Sequence, residues 1–132
     1  MKRRMLLVAS ISLMLTVNLV YGQVQSPGQV IKEFYTLANM GKYKEAQQYW
    51  SEDFRFAMDR CLGIITGGPE VVLDNATKKG TIERVKIKKE EIRGQKAEVS
   101  YTIYFKDGSK REATDDMVFE GGGWKINFKV VQ

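Results

Sequence analysis

From residue 81 to residue 131 the chain alternates apolar and polar positions in four runs separated by glycine-marked turns. The clearest run sets Ala97, Val99, Tyr101, Ile103 and Phe105 on one face, with Glu98, Ser100, Thr102 and Lys106 on the other. The last run repeats the pattern, Trp124, Ile126, Phe128 and Val130 opposing Lys125, Asn127 and Lys129. One-sided alternation of this kind predicts antiparallel strands with one face buried and one wet. Gly94, Asp107-Gly108 and Gly121-Gly122-Gly123 mark the turns, and Asp-Gly is the strongest hairpin signal among them. The first run, 81–92, is less regular. Val85 and Ile87 fall on one face and Ile82 and Ile92 on the other, which predicts a bulge near Lys89-Glu90. The third run, 110–120, begins polar and ends Met117-Val118-Phe119.

An apolar sheet face needs a cover, and the residues before it supply helices. Ser26-Pro27-Gly28-Gln29 reads as a capping box with proline at the first helical position. Val30, Phe34 and Leu37, widened by Ile31, Tyr35 and Ala38, form the apolar stripe, and Gly41 ends the helix. A second helix is predicted over 42–50 through Tyr43, Ala46 and Trp50. Ser51 then caps a short third one through Phe54 and Met58. Gly67-Gly68 breaks the 63–68 stretch, and Pro69 opens a helix over 70–79 that stops at Gly80. The expectation is an α+β domain, N-terminal helices packed on the concave face of a bent four-stranded antiparallel sheet.

The first 22 residues stand apart. Lys2, Arg3 and Arg4 precede an apolar stretch from residue 5 to about 20, and Val20 and Gly22 occupy the −3 and −1 positions before Gln23. This is the form of a cleaved signal peptide. An uncleaved anchor is the alternative, but the stretch is short and interrupted by Ser10, Ser12, Thr16 and Asn18. The expected product is one exported domain, residues 23–132, periplasmic or extracellular, without a stable membrane anchor. It is not a lipoprotein, because no cysteine follows the apolar stretch. Export also changes the charge. Of 21 lysines and arginines, three fall in residues 1–22, leaving 18 cations against 16 anions, a net charge of +2. A polyanion partner does not follow from so small an excess, and nucleic acid is not expected. Cys61 is the single cysteine, so no disulfide forms within the chain. It is expected to be a buried thiol, or alternatively one that pairs two chains.

The order of elements resembles the nuclear transport factor 2-like (cystatin-like) α+β cone. More narrowly, it resembles that superfamily's small exported domains of unknown function, the lumazine-binding-like branch. The residues that carry this are Ser26-Pro27 leading into Phe34, Gly41-Lys42-Tyr43-Lys44-Glu45-Ala46, the run 101–108, and Gly123-Trp124-Lys125-Ile126. Such cones host isomerases, dehydratases, transport factors and plain binding modules, so the fold alone assigns no activity.

The chain contains no histidine, which excludes Ser-His-Asp and Cys-His catalysis and His-ligated zinc. No catalytic motif, metal set or cofactor signature is present, and a non-enzymatic role is expected. The enzymatic alternative is of the ketosteroid-isomerase type, which the resemblance implies and which needs Tyr and Asp only. It would draw on Tyr101 or Tyr35 with Asp59 or Asp74, and no spacing selects among them. Asp115-Asp116 and Glu90-Glu91 alike read as solvated edge residues that discourage edge pairing. Arg84, Lys86 and Lys88 with Lys125 and Lys129 would form a basic strip on the outer face if their faces coincide. That strip would suit an anionic envelope polymer or lipid head group. The remaining candidate is the hollow of the cone, formed by Phe34, Trp50, Met58, Tyr101, Ile103, Phe105, Trp124 and Phe128. These either pack solid or leave an apolar cavity for a small apolar or aromatic molecule, oriented by a Tyr hydroxyl or a Trp N–H. A homodimer or protein-interaction module working through the outer sheet face is the alternative.

Overall fold

The computed structural model describes residues 24–62 and 78–128, with the backbone alone at Cys61 and Leu62. The expected leader, the 63–68 stretch, the helix over 70–77, Asp74 and the tail from Lys129 lie outside the described residues. So does the setting of the Cys61 thiol. The far end of that expected helix is instead a turn, with Lys78 at φ 43°.

Helix α1, Pro27–Asn39, begins as the sequence predicts. Ser26 Oγ accepts from Gln29 N–H at 3.2 Å, and Gln29 Oε1 accepts from Ser26 N–H at 3.0 Å. It buries Val30, Ile31, Phe34, Tyr35, Leu37 and Ala38. It stops at Gly41, where φ is 76°. There the N–H of Lys42 reaches Leu37 O and that of Gly41 reaches Ala38 O, a left-handed terminus that favours glycine.

The predicted second helix is shorter than its pattern suggests. Tyr43–Ala46 (α2) is α-helical, Gln47–Tyr49 tightens to a 3₁₀ turn, and Trp50 is extended. Tertiary pairing decides this. Trp50 forms a parallel bridge with Ile126, and Ser51 N–H donates to Ile126 O at 2.9 Å. Ser51 caps α3, Glu52–Ala57, accepting from Phe54 N–H, while its own hydroxyl donates to Asn127 Oδ1 at 2.8 Å. A π-helical turn, Met58–Leu62, extends α3.

Four antiparallel strands follow in chain order: β1 Ile82–Arg93, β2 Lys96–Phe105, β3 Lys110–Glu120 and β4 Gly123–Asn127. The irregularity in β1 proves to be two register shifts, one between Ile82 and Arg84 and one between Ile87 and Lys89. Each adds one residue, so Ile82, Val85, Ile87, Glu90 and Ile92 all lie opposite the inward residues of β2, from Phe105 to Ala97. The predicted bulge thus sits at Lys88, one residue before the expected place, and a second at Glu83 completes the correction.

Helix α1 lies across the concave face over β1, β2 and β4, and β1 grips it at both ends. At the N-terminus, Gly28 N–H donates to Glu90 Oε1 at 2.5 Å. At the C-terminus, Asn39 Nδ2 donates to Ile82 O at 3.1 Å while Asn39 Oδ1 accepts from Ile82 N–H at 3.0 Å. The Asn39 amide therefore stands in for a neighbouring strand. Glu90 is exposed, as the sequence expects, and its carboxylate also reaches the helix. It supplies negative charge to the positive end of the α1 dipole, as Glu120 does for α3 through Glu52 N–H at 2.7 Å. Asn39→Ala strands both polar groups of Ile82 and should cost ~1–3 kcal/mol. Glu90→Ala removes a cap and should cost about 1 kcal/mol. Urea unfolding of the two variants should show midpoints falling in that order with unchanged slopes.

Candidate functional site

Of the eight residues expected in the hollow, Phe34, Trp50, Met58, Tyr101, Ile103 and Trp124 are buried in the core. Phe105 and Phe128 are half-buried against it. Phe34 bridges the aromatic set, its ring centroid 5.7 Å from Phe128, 6.5 Å from Trp50 and 5.1 Å from Tyr35. Trp50 and Phe128 both meet Phe54, at 4.9 and 5.1 Å, whereas Trp124 packs on Phe119. Among the described residues Trp50 Nε1 is buried without a hydrogen-bond partner.

Two buried hydroxyls bring polar chemistry to this face. Tyr35 OH lies 2.8 Å from Tyr101 OH, and Tyr101 OH donates to Asp115 Oδ2 at 2.5 Å. The proton directions follow from the ends. Tyr101 has one proton and the carboxylate takes it, so Tyr35 is the donor to the Tyr101 oxygen. Asp115 is opposite Val99 in the register and shares the inward face with Ala113, opposite Tyr101, and Arg111, opposite Ile103. Asp115 and Ala113 stay half-buried and Arg111 exposed. The buried string of hydroxyls therefore runs outward to a carboxylate at the partly open side of β3.

The assignment of Asp115 as a solvated edge residue is corrected on two counts. Strand β3 is internal, paired on both sides, and Asp115 faces the core side of the sheet. The signal was present in the sequence: counting back by twos from Phe119 and Met117 leads to Asp115 and Ala113. Asp116 does face outward, opposite Glu98 and Asn127, so the pair does not converge on one site. Among the described residues no group of three potential ligands could hold a metal ion. The isomerase-type pairing changes accordingly. Tyr35 and Tyr101 join each other and Asp115, while Asp59 is exposed on the turn after α3.

Among the described residues the outer face carries no continuous basic strip. Across the strands, Arg84, Tyr104 and Lys110 form a row at one end, and Arg93, Lys96, Val118 and Lys125 form a row at the other. Glu91, Glu98 and Asp116 form an acidic row between them. Lys88 is paired with Glu112, Glu91 with Lys89 at 2.8 Å, and Lys125 Nζ donates to Gln48 O at 2.8 Å. Lys129 is outside the described residues. The Arg84 guanidinium stacks 4.3 Å from the centroid of Tyr104.

Electrostatics single out the same string. Burial raises the Asp115 carboxyl above the usual carboxylate range, against the opposing hydrogen bond from Tyr101; Asp116 pushes it further up and Arg111 pulls it down. Burial likewise pushes both tyrosines up, Tyr101 most, with Tyr35 and Asp115 adding to it. Asp115 is favoured protonated in the fold, so its ionisation works against folding. That favour is fully present below the unfolded value and is lost as pH rises through the folded one. Asp115→Asn keeps an acceptor for Tyr101 and should raise the melting temperature at neutral pH, the gain fading as pH falls towards about 4. Tyr101→Phe strands the Tyr35 proton and removes the donor to Asp115, and should cost ~1–3 kcal/mol. Tyr35→Phe leaves the bond to Asp115 intact and should cost less, ~0.5–1.5 kcal/mol.

The family model described as a domain of unknown function, DUF4878, matches residues 21–127. A Campylobacter jejuni protein provisionally named an NTF2-like transpeptidase shares the fold, with a TM-score of 0.61 and 15% identity over 80% of this chain and 100% of its own. A SEC-C motif containing protein from Rhodopseudomonas palustris is similar at a TM-score of 0.56 and 10% identity, over 81% of this chain and 80% of its own. No curated protein matches the sequence. The architecture is that of the nuclear transport factor 2-like domains, as its order of helices and strands suggested.

Proposed function

The chain belongs to the DUF4878 family, and from that starting point we propose that it is an exported, non-enzymatic binding module. Its ligand is a small molecule with an apolar or aromatic body, held on the concave side of the sheet beside β3. The observation that carries this reading is the hydroxyl string from Tyr35 through Tyr101 to Asp115, set against the Phe34 ring and reaching a half-buried carboxylate. An apolar surface with one or two convergent polar groups is the ordinary make-up of a small-molecule site. Helix α1 covers β1, β2 and β4, and the inward side of β3 retains exposure at Arg111, Ala113 and Asp115. The basic segment, apolar stretch and small residues of positions 1–22 support export. A non-enzymatic role is in keeping with the lack of histidine. The proton of Tyr101 is engaged by Asp115 and that of Tyr35 by Tyr101, so neither is poised for a substrate.

Native mass spectrometry of the protein secreted by a bacterial host under its own leader tests both halves. The expected result is a chain beginning at Gln23 that carries additional mass lost on denaturation. A chain beginning at Met1 would overturn export. A bare chain whose melting temperature does not respond to any small aromatic compound would overturn binding.

A further inference from the structure

The Tyr101 hydroxyl engages Asp115 Oδ2, and among the described residues no other hydrogen bond and no ion pair involves that carboxylate. The nearest candidate cation, Arg111, acts on it through space without a bridge. The 63–77 segment contains no lysine or arginine at all. An ionised carboxylate on the inward face of a sheet, without a cation, is costly, because burial strips its water and one hydroxyl replaces only part of it. Among the described residues other carboxylates have partners. Glu91 has Lys89 and Arg93, Glu112 has Lys88, and Glu90 and Glu120 sit on helix N-termini.

Resting on the binding reading above, we infer that the ligand is a small organic cation whose ammonium or protonated amine docks on Asp115 while its apolar part lies against the aromatic set. Charge complementarity names the occupant. A cation restores at Oδ1 the partner that no described residue supplies, and a half-buried setting makes that contact worth more than it would be in open water. Tyr35 and Tyr101 act as positioning residues. Their hydroxyl string fixes Oδ2, so the carboxylate presents its other oxygen to the ligand in one orientation. An anionic ligand would meet Asp115 as a like charge and would have to choose Arg111 instead.

Three probes of one shape and different charge separate these outcomes: benzylamine, benzyl alcohol and benzoate. Each is titrated at neutral pH into the isotope-labelled chain, with the backbone amides of Tyr101, Ala113 and Asp115 as reporters. Benzylamine should saturate those amides at least about tenfold more tightly than benzoate, as a charge-assisted hydrogen bond requires. In Asp115→Asn that preference should fall below about threefold. Equal binding of the three, or a preference for benzoate, overturns the cation and leaves the binding reading standing. No saturable shift at β3 with any probe overturns the binding reading itself. The comparison on the unmodified chain decides the matter even if the variant does not fold.

Discussion

Helix α1 is held against the sheet by two contacts made with a single strand, and the rest of the molecule is arranged around that grip. Glu90 meets the first turn of the helix, and the Asn39 amide pairs with the backbone of Ile82 beyond its last turn. The two extra residues of β1 bring Val85 and Ile87 onto the face shared by Ile82 and Glu90. With one fewer, Glu90 and Ile82 would lie on opposite faces, since strand side chains alternate with a period of two. The bulges thus set where α1 lies, and α1 fixes where the aromatic set is closed.

Tyr35 lies between the two ends of that grip, and its position over Tyr101 follows from it. The pair is a polar intrusion into a face otherwise built from Phe34, Val99, Ile103 and Ile126, all buried. Its hydroxyl protons are placed, and placed in one direction, towards Asp115. The unfavourable balance is concentrated at the far end of the string, where burial and the neighbouring Asp116 both oppose the charge. Stability is spent at one carboxylate, and functional sites are where such local costs concentrate.

Much of the fold was legible in the sequence because its signals are local. The Ser26 capping box, the Gly41 terminus, the Asp107-Gly108 turn and the alternation of β2 each involve residues within a few positions of one another. What was hidden depends on pairing across the chain. Trp50 had the spacing of a helical residue and is drawn into an extended bridge by Ile126, 76 positions away. Glu90 is solvated as its sequence suggests, but its bond to the amide of Gly28 is to a backbone group that no side-chain pattern reveals. Asp115 is the instructive intermediate. Its inward orientation was fixed by Met117 and Phe119, but reading it needed trust in alternation over the expectation that a charged pair faces water. Tyr35 and Tyr101 were both identified as notable, and only the fold shows that they touch.

The junction of Trp50 and Ser51 with β4 bears on how the chain acquires its shape. Ser51 is bound to Ile126 and Asn127, and Gln48 O to Lys125, so the seats of α2 and α3 are made by nearly the last residues of the chain. Helices this short have little stability alone, since nucleation is unfavourable and packing supplies most of what holds them. While the polypeptide emerges from its N-terminus, Trp50 therefore lacks its bridge partner, and Ser51 its two acceptor and donor contacts, until β4 arrives. The seating of α2 and α3 thus waits on the final strand, a pairing of high sequence separation.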